Sequence, residues 1–255
     1  YFNSKLILFN ELTKKNGNLI FEEESRNSKT FKNIAKRKKL NLLSIGKSNC
    51  DLKINSIKIL NNYQYVKFSY KNKEYQFKTS LIGKIQIKNL MMAIAAALKS
   101  NLKIDDIVKN LERVKSTTGR MELIGKTKDN SIVILDYAHT PEALKTCIEN
   151  IKEQFGLRKI SIVFGCGGER DKEKRPIMGK IANKLCNYIY LTDDNPRNEN
   201  PENIRASIKK SILPSKMIEI PSRKLAIKKA ILNSKSDEVL IIAGKGHENT
   251  QEYIK

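Results

Sequence analysis

The stretch TDDNPRNENP, residues 192–201, places Asp193, Asp194, Asn195, Pro196 and Arg197 directly behind the apolar run Tyr188–Leu191. A turn uses an Asn and a Pro, but it has no need of two carboxylates and a guanidinium as well. Carboxylates answer an ammonium group, and the planar fork of an arginine clamps a carboxylate. Together these residue types read as a receptor for a small amino acid.

Three other segments carry comparable chemistry. GKGHE, residues 244–248, combines two glycines that admit close backbone approach with a cation, an imidazole and a carboxylate. GCGGERDKEKRP, residues 165–176, sets three glycines beside Arg170, Asp171, Lys174 and Arg175 ahead of a helix, an arrangement suited to an anion. LDYAHTP, residues 135–141, brings Asp136 and His139 to a strand–helix junction. Each alone also reads as an ordinary loop or a solvated helix start. The chain has only two histidines, however, and both His139 and His247 fall in these segments, which favours function. Lys5 lies beside an apolar stripe formed by Phe2, Leu6 and Phe9. It reads either as a lysine whose stem follows a helix flank, or as a desolvated amine that takes up carbon dioxide and becomes an oxygen ligand for magnesium. Gly46-Lys47-Ser48 is not a phosphate-binding loop, because Asn41 stands where that pattern requires glycine. It reads as a strand-exit turn.

The elements that must position these groups are regular in the second half. SIVILDY, ISIVFGC, YIYLT, KMIEI and EVLIIAG read as strands, alternating with helical patterns at residues 141–155, 174–185, 201–212 and 223–234. Thr140 and Asn200 are expected N-caps, with Pro141 and Pro201 at the first helical position. Continuous apolar strands alternating with amphipathic helices predict an α/β fold with a mostly parallel sheet covered on both faces. Such a sheet binds ligands at the carboxyl ends of its strands, where the polar segments above fall. The first half is mixed: a helix over residues 1–15, then an antiparallel meander from INSIKIL, YQYVKFSY and EYQFKTSL, then helices from about residues 89–100 and 105–114. Polar KSTTG, residues 115–119, marks the expected boundary, giving domains 1–116 and 117–255.

Composition excludes more than it assigns. No apolar run approaches the roughly 20 residues of a membrane span. Four scattered cysteines without a C-x-x-C pair argue against a disulfide framework or a zinc site and suit a reducing cytoplasm. The net charge of +22 reads as a nucleic-acid-binding module or as general enrichment in Lys, with the spread of Lys along the chain favouring the latter. The chain starts on Tyr1 and is expected to be part of a longer protein.

GRMELI, LDYAHTPEAL, VFGCGGERDKEKRPIMG, LTDDNPRNENPENI and IIAGKGHENTQEY, in this order, resemble the C-terminal domain of the muramyl ligases of peptidoglycan synthesis. The likeness is greatest to those that extend UDP-MurNAc-L-Ala-D-Glu. YFNSKLILF resembles the family's helix with a carbamylated lysine, here Lys5, and GKIQIKNLMMAIAAAL the helix whose asparagine, here Asn89, lies near the adenine. The resemblance implies a Rossmann-like C-terminal ligase domain behind the remainder of a central α/β ATPase domain. It implies ATP and Mg2+, transfer of the γ-phosphate to the dipeptide's terminal carboxylate, and attack on the acyl phosphate by the incoming amine. Carbamylated Lys5 would hold the magnesium, His139 would serve catalysis, and Asn89, Arg120 and Asp136 would border the nucleotide. Arg170, Asp194, Asn195, Pro196, Arg197, Gly244 and Glu248 would bind the amino acid. In the family, D-N-P-R marks addition of meso-diaminopimelate rather than lysine; a lysine-adding ligase, or another muramyl or folylpolyglutamate-type ligase, is the alternative. The implied partners are small molecules, without nucleic acid or membrane, in a cytoplasmic monomer. GKIQIKN and IFEEES depart from the family's pattern, and no P-loop occurs in residues 1–255, so this segment alone is expected not to hydrolyse ATP.

Overall fold

The computed structural model describes residues 2–60 and 62–253, in two compact units, Tyr1–Lys115 and Ser116–Lys255. The first unit runs α1 (Phe2–Ile7), a π-helical turn (Leu8–Leu12), β1 (Asn18–Glu22), α2 (Ser28–Lys38), β2 (Asn41–Gly46), β3 (Leu52–Leu60), β4 (Tyr63–Tyr70), β5 (Lys73–Thr79), α3 (Lys84–Lys99) and α4 (Ile104–Asn110). Its sheet has the order β1-β2-β3-β4-β5. The β1–β2 and β2–β3 pairs are parallel, whereas β3–β4 and β4–β5 form the expected antiparallel meander. Lys71 and Asn72 both take positive φ, 48° and 61°, the backbone that a two-residue hairpin needs to match strand twist. Phe68, Phe77, Ile87, Met91 and Ile94 join sheet and α3 in one core.

Several elements differ from the sequence expectation. The predicted helix over 1–15 ends by Leu12, where Leu8 O accepts from both Thr13 N and Thr13 Oγ1, at 2.8 and 2.7 Å, and closes a wide turn. Its apolar stripe is real, since Phe2 and Phe9 pack edge-on against Phe31. Lys5, beside that stripe, is exposed. The helix expected from Asn89 begins five residues earlier at Lys84, behind Gly83 at φ 80°. The strand β1 and the helix α2 were not foreseen, whereas β2 ends at Gly46, where Gly46-Lys47-Ser48 reads as a strand exit.

The second unit runs β6 (Glu122–Lys126), β7 (Ile132–Asp136), α5 (Pro141–Phe155), β8 (Lys159–Phe164), α6 (Lys174–Leu185), β9 (Tyr188–Leu191), α7 (Pro201–Lys209), β10 (Met217–Glu219), α8 (Arg223–Asn233) and β11 (Glu238–Ala243). The sheet order is β10-β9-β8-β11-β7-β6, with every pair parallel except β6–β7. Central strands bury nearly every side chain: Ile134, Ile162, Val163, Phe164, Ile189, Leu240 and Ile241 are fully enclosed. Burying each contributes about 1.5–3 kcal/mol, so the strand ends form a rigid edge for the loops beyond them. The Thr140 hydroxyl caps α5 by accepting from Ala143 N, and the Asn200 side chain caps α7 by accepting from Glu202 N.

Candidate active site

The loops following β7, β8, β9 and β11 surround one pocket of about 500 Å³. Its walls include His139, Arg170, Asp194, Asn195, Arg197, Gly244 and Glu248 from the sequence expectation, joined by Tyr137 and Lys174.

After β7, Asp136 is buried and both carboxylate oxygens are taken: Oδ2 accepts from Met121 N and Oδ1 from Ala138 N, each at 2.8 Å. Burial pushes its carboxyl above the usual range in spite of these bonds. Asp136 therefore shapes the loop from below. Beyond it, the ring of Tyr137 meets that of His139 at 4.6 Å, while the Arg120 guanidinium lies 4.4 Å from the Tyr137 ring centre. His139 Nδ1 is 2.8 Å from Tyr137 O, and Lys174 Nζ donates to His139 O at 2.9 Å.

The glycines after β8 have a steric role. A Cβ on Gly165 would land on the carbonyl oxygen of Thr192, and one on Gly168 on that of Pro196. Only glycine lets the loops after β8 and β9 run this close, and Gly168 N donates to Asn195 O at 2.8 Å. Buried Arg175 reinforces the junction through Glu199 and Gly167 O. Gly165 and Gly168 thus serve backbone packing, while Gly167, Arg170 and Lys174 of the same segment line the pocket.

After β9, buried Asp193 is ion-paired with Arg205, which also binds Glu219. Arg197 adopts a left-handed backbone, φ 54°. Its Nη1 donates to Gly168 O at 2.8 Å, and its Nε pairs with Glu252 at 2.9 Å. Pro196 is buried against the β8 loop. Asp194, half-buried on the wall, makes no hydrogen bond or ion pair among the described residues; a Cβ on Gly244 would lie 2.9 Å from its Oδ2.

After β11, Lys245 is buried and donates to Asn195 Oδ1 at 2.7 Å and Glu248 Oε2 at 3.1 Å. Glu248 Oε1 accepts from the Tyr137 hydroxyl at 3.0 Å. Against a desolvation that would raise it, Lys245 and Tyr137 hold the Glu248 carboxyl below the usual range. The wall thus offers guanidinium groups from Arg170 and Arg197 beside the carboxylates of Asp194 and Glu248. That is the complement of a ligand carrying both carboxylate and ammonium groups. Sequence reasoning passed over Tyr137, Lys245 and Glu252 as individual site residues; only Lys245, set between two glycines, gave a signal.

Lys5 and Asn89 belong to the other unit. Asn89 is exposed on α3 with its Nδ2 3.3 Å from Gln86 Oε1. Among the described residues, no group of three or more His, Cys, Asp or Glu side chains is arranged to hold a metal ion.

The chain belongs to the Mur ligase family. The Mur ligase glutamate ligase domain matches residues 119–246, and the Mur ligase middle domain residues 1–97. Within that family it is similar to UDP-N-acetylmuramoyl-L-alanyl-D-glutamate–2,6-diaminopimelate ligase of Rickettsia montanensis, 40% identical over 98% of this chain and 52% of the relative. The enzyme of the same name from Chelativorans sp. (strain BNC1) is 35% identical over 99% of this chain and 52% of the relative. A solved structure of a ligase of that name superimposes with TM-score 0.66 at 29% identity, covering 99% of this chain and 52% of the other. The folylpolyglutamate synthase of Thermotoga maritima shares the fold, with TM-score 0.71 at 18% identity over 96% of this chain and 55% of the other. The chain spans about half the length of the curated relatives it matches.

Proposed function

We propose that this chain belongs to an ATP-dependent amide ligase that adds meso-diaminopimelate to UDP-MurNAc-L-Ala-D-Glu, and that residues 117–255 receive the incoming amino acid. Residues 1–116 would be the C-terminal part of the central ATP-binding domain. The observation that carries this reading is the pairing of guanidinium and carboxylate groups around one pocket at the carboxyl edge of the sheet. Diaminopimelate differs from lysine by a carboxylate at its far end, and Arg197 has the planar fork to clamp it. Arg170 would take another carboxylate, and Asp194 and Glu248 would answer ammonium groups. Similarity to relatives named as diaminopimelate ligases supports the same substrate.

The chemistry is acyl transfer. The dipeptide carboxylate accepts the γ-phosphoryl group of ATP, the amine of the amino acid attacks the carbonyl carbon, and phosphate leaves. The pocket's contribution is to hold the amine still and pointed at that carbon, which alone removes several kcal/mol of barrier. His139, at the mouth, would order the reacting groups; Arg120 and Asp136 would border the nucleotide, as would Asn89. Magnesium, where bound, would neutralise charge on the phosphoryl oxygens. Lys5 enters as its carbamylated ligand through family resemblance alone. The setting for such an enzyme is the cytoplasm, and it would act as a monomer.

The test is amino-acid selectivity of the full-length protein with UDP-MurNAc-L-Ala-D-Glu and ATP. Diaminopimelate is expected to exceed lysine by on the order of a hundredfold or more in kcat/KM, because lysine offers no carboxylate to the Arg197 donors that Gly168 and Glu252 leave uncommitted. Equal use of the two, or preference for lysine, overturns the assignment.

A further inference from the structure

Lys245 does not line the pocket, yet it touches two residues that do. It is 7% exposed, and a lysine removed from water must find compensating partners. Those partners come from two loops, Asn195 after β9 and Glu248 after β11.

A side-chain amide can be turned end for end at little intrinsic cost, exchanging a donor for an acceptor. Here Asn195 Oδ1 faces two donors, the Lys245 ammonium at 2.7 Å and Glu252 N at 3.0 Å. Only the oxygen can stand there, so Nδ2 is turned toward Glu248 Oε2, 3.3 Å away. Glu248 is constrained in the same way. Its Oε2 receives Lys245 and Asn195, and its Oε1 receives Tyr137. Arg223, buried beneath and donating to Ala243 O at 2.8 Å, adds positive charge toward Asp194 and Glu248.

We propose that Lys245 is a positioning residue for amino-acid recognition: from beneath the pocket it fixes which face of Asn195 donates and which way Glu248 accepts. This rests on the reading of the pocket as an amino-acid receptor. The ammonium sets the polarity of the wall without touching the ligand, and it couples two loops whose residues lie far apart in the chain.

The experiment uses the full-length protein. Lys245→Met keeps the stem and removes the ammonium. It is expected to raise KM for diaminopimelate about tenfold, the equivalent of one charged hydrogen bond, with kcat and KM for ATP changed less than about twofold. Lys245→Gln, which restores a donor toward Asn195 Oδ1, should recover most of the loss, and serves alone if the Met variant does not fold. In a double-mutant cycle with Asn195→Ala, the Lys245 effect should shrink to the part carried by Glu248, because one of its two targets is gone. An unchanged KM, additive effects in the cycle, or equal losses in kcat and both KM values would overturn the proposal. A parent enzyme that uses diaminopimelate but is indifferent to Lys245 sinks this inference alone. A parent without diaminopimelate-dependent turnover sinks the substrate reading, and this inference with it.

Discussion

Replacing Arg197 separates recognition from architecture. The guanidinium has five N–H donors. One is committed to Gly168 O at 2.8 Å and another to Glu252 at 2.9 Å, leaving the rest of the fork for a ligand on the pocket wall. The internal share is the smaller one: Glu252 is 57% exposed, so its pair contributes at most about 1 kcal/mol, and the charge-assisted bond to Gly168 about 1.5 kcal/mol more. Arg197→Ala should therefore destabilise the fold by about 2.5 kcal/mol, a fall in Tm of roughly 5–10 °C. The recognition share is larger. Two charge-assisted bonds to the far carboxylate of diaminopimelate are worth about 3 kcal/mol, or on the order of a hundredfold in kcat/KM. Lysine has no such carboxylate, so its already poor kcat/KM should move by less than about threefold. Arg197→Lys keeps the charge but loses the fork, and should recover only part of the loss. The assay is phosphate release with each amino acid at 25 °C, beside a thermal melt. Parallel losses for diaminopimelate and lysine would refute the argument, since they would assign Arg197 to loop structure alone.

Gly168→Ala places a methyl group against the Pro196 carbonyl. It should cost about 1–3 kcal/mol in a denaturant melt and raise KM for the amino acid by displacing Asn195 and Arg197. Glu248 titrates below its unfolded value of about 4.3. A depressed carboxyl contributes stability that is complete above the unfolded pKa and is lost as pH falls through the folded one. Glu248→Gln should thus be less stable than the parent at pH 7, with the difference closing below about pH 4 in urea melts taken across that range.

Much of the second unit was legible because each signal was local. Thr140-Pro141-Glu142 caps a helix with residues adjacent in sequence, and α5 begins where that predicts. The uninterrupted apolar runs of β7, β8 and β11 could serve only strands buried on both faces. Where the signal was weak or spatial, reading failed. β6 is an edge strand with exposed Leu123 and Ile124 and a register shift before Gly125, so it shows little alternation. The start of α3 has no side-chain cap to announce it. In β1 the apolar residues are few and flanked by Asn and Glu, and its pairing with β2 joins separate parts of the chain. The same holds at the pocket. The residue types of DNPR pointed to an amino acid, but the role of Lys245 depends on an oxygen fifty positions away. The steric need for Gly168 depends on a carbonyl from the next loop.

The segment after β11 folds back over the DNPR turn. Glu252 O accepts from Arg197 N, Gln251 reaches Asp193 O, and the Tyr253 hydroxyl reaches the Asp193 carboxylate. The turn is thus a thread held in a seam, stitched by residues that appear only after the last strand. Transplanting those four letters into a homologue would carry the vocabulary of selectivity without its grammar. Descent with altered preference must edit turn and tail in concert.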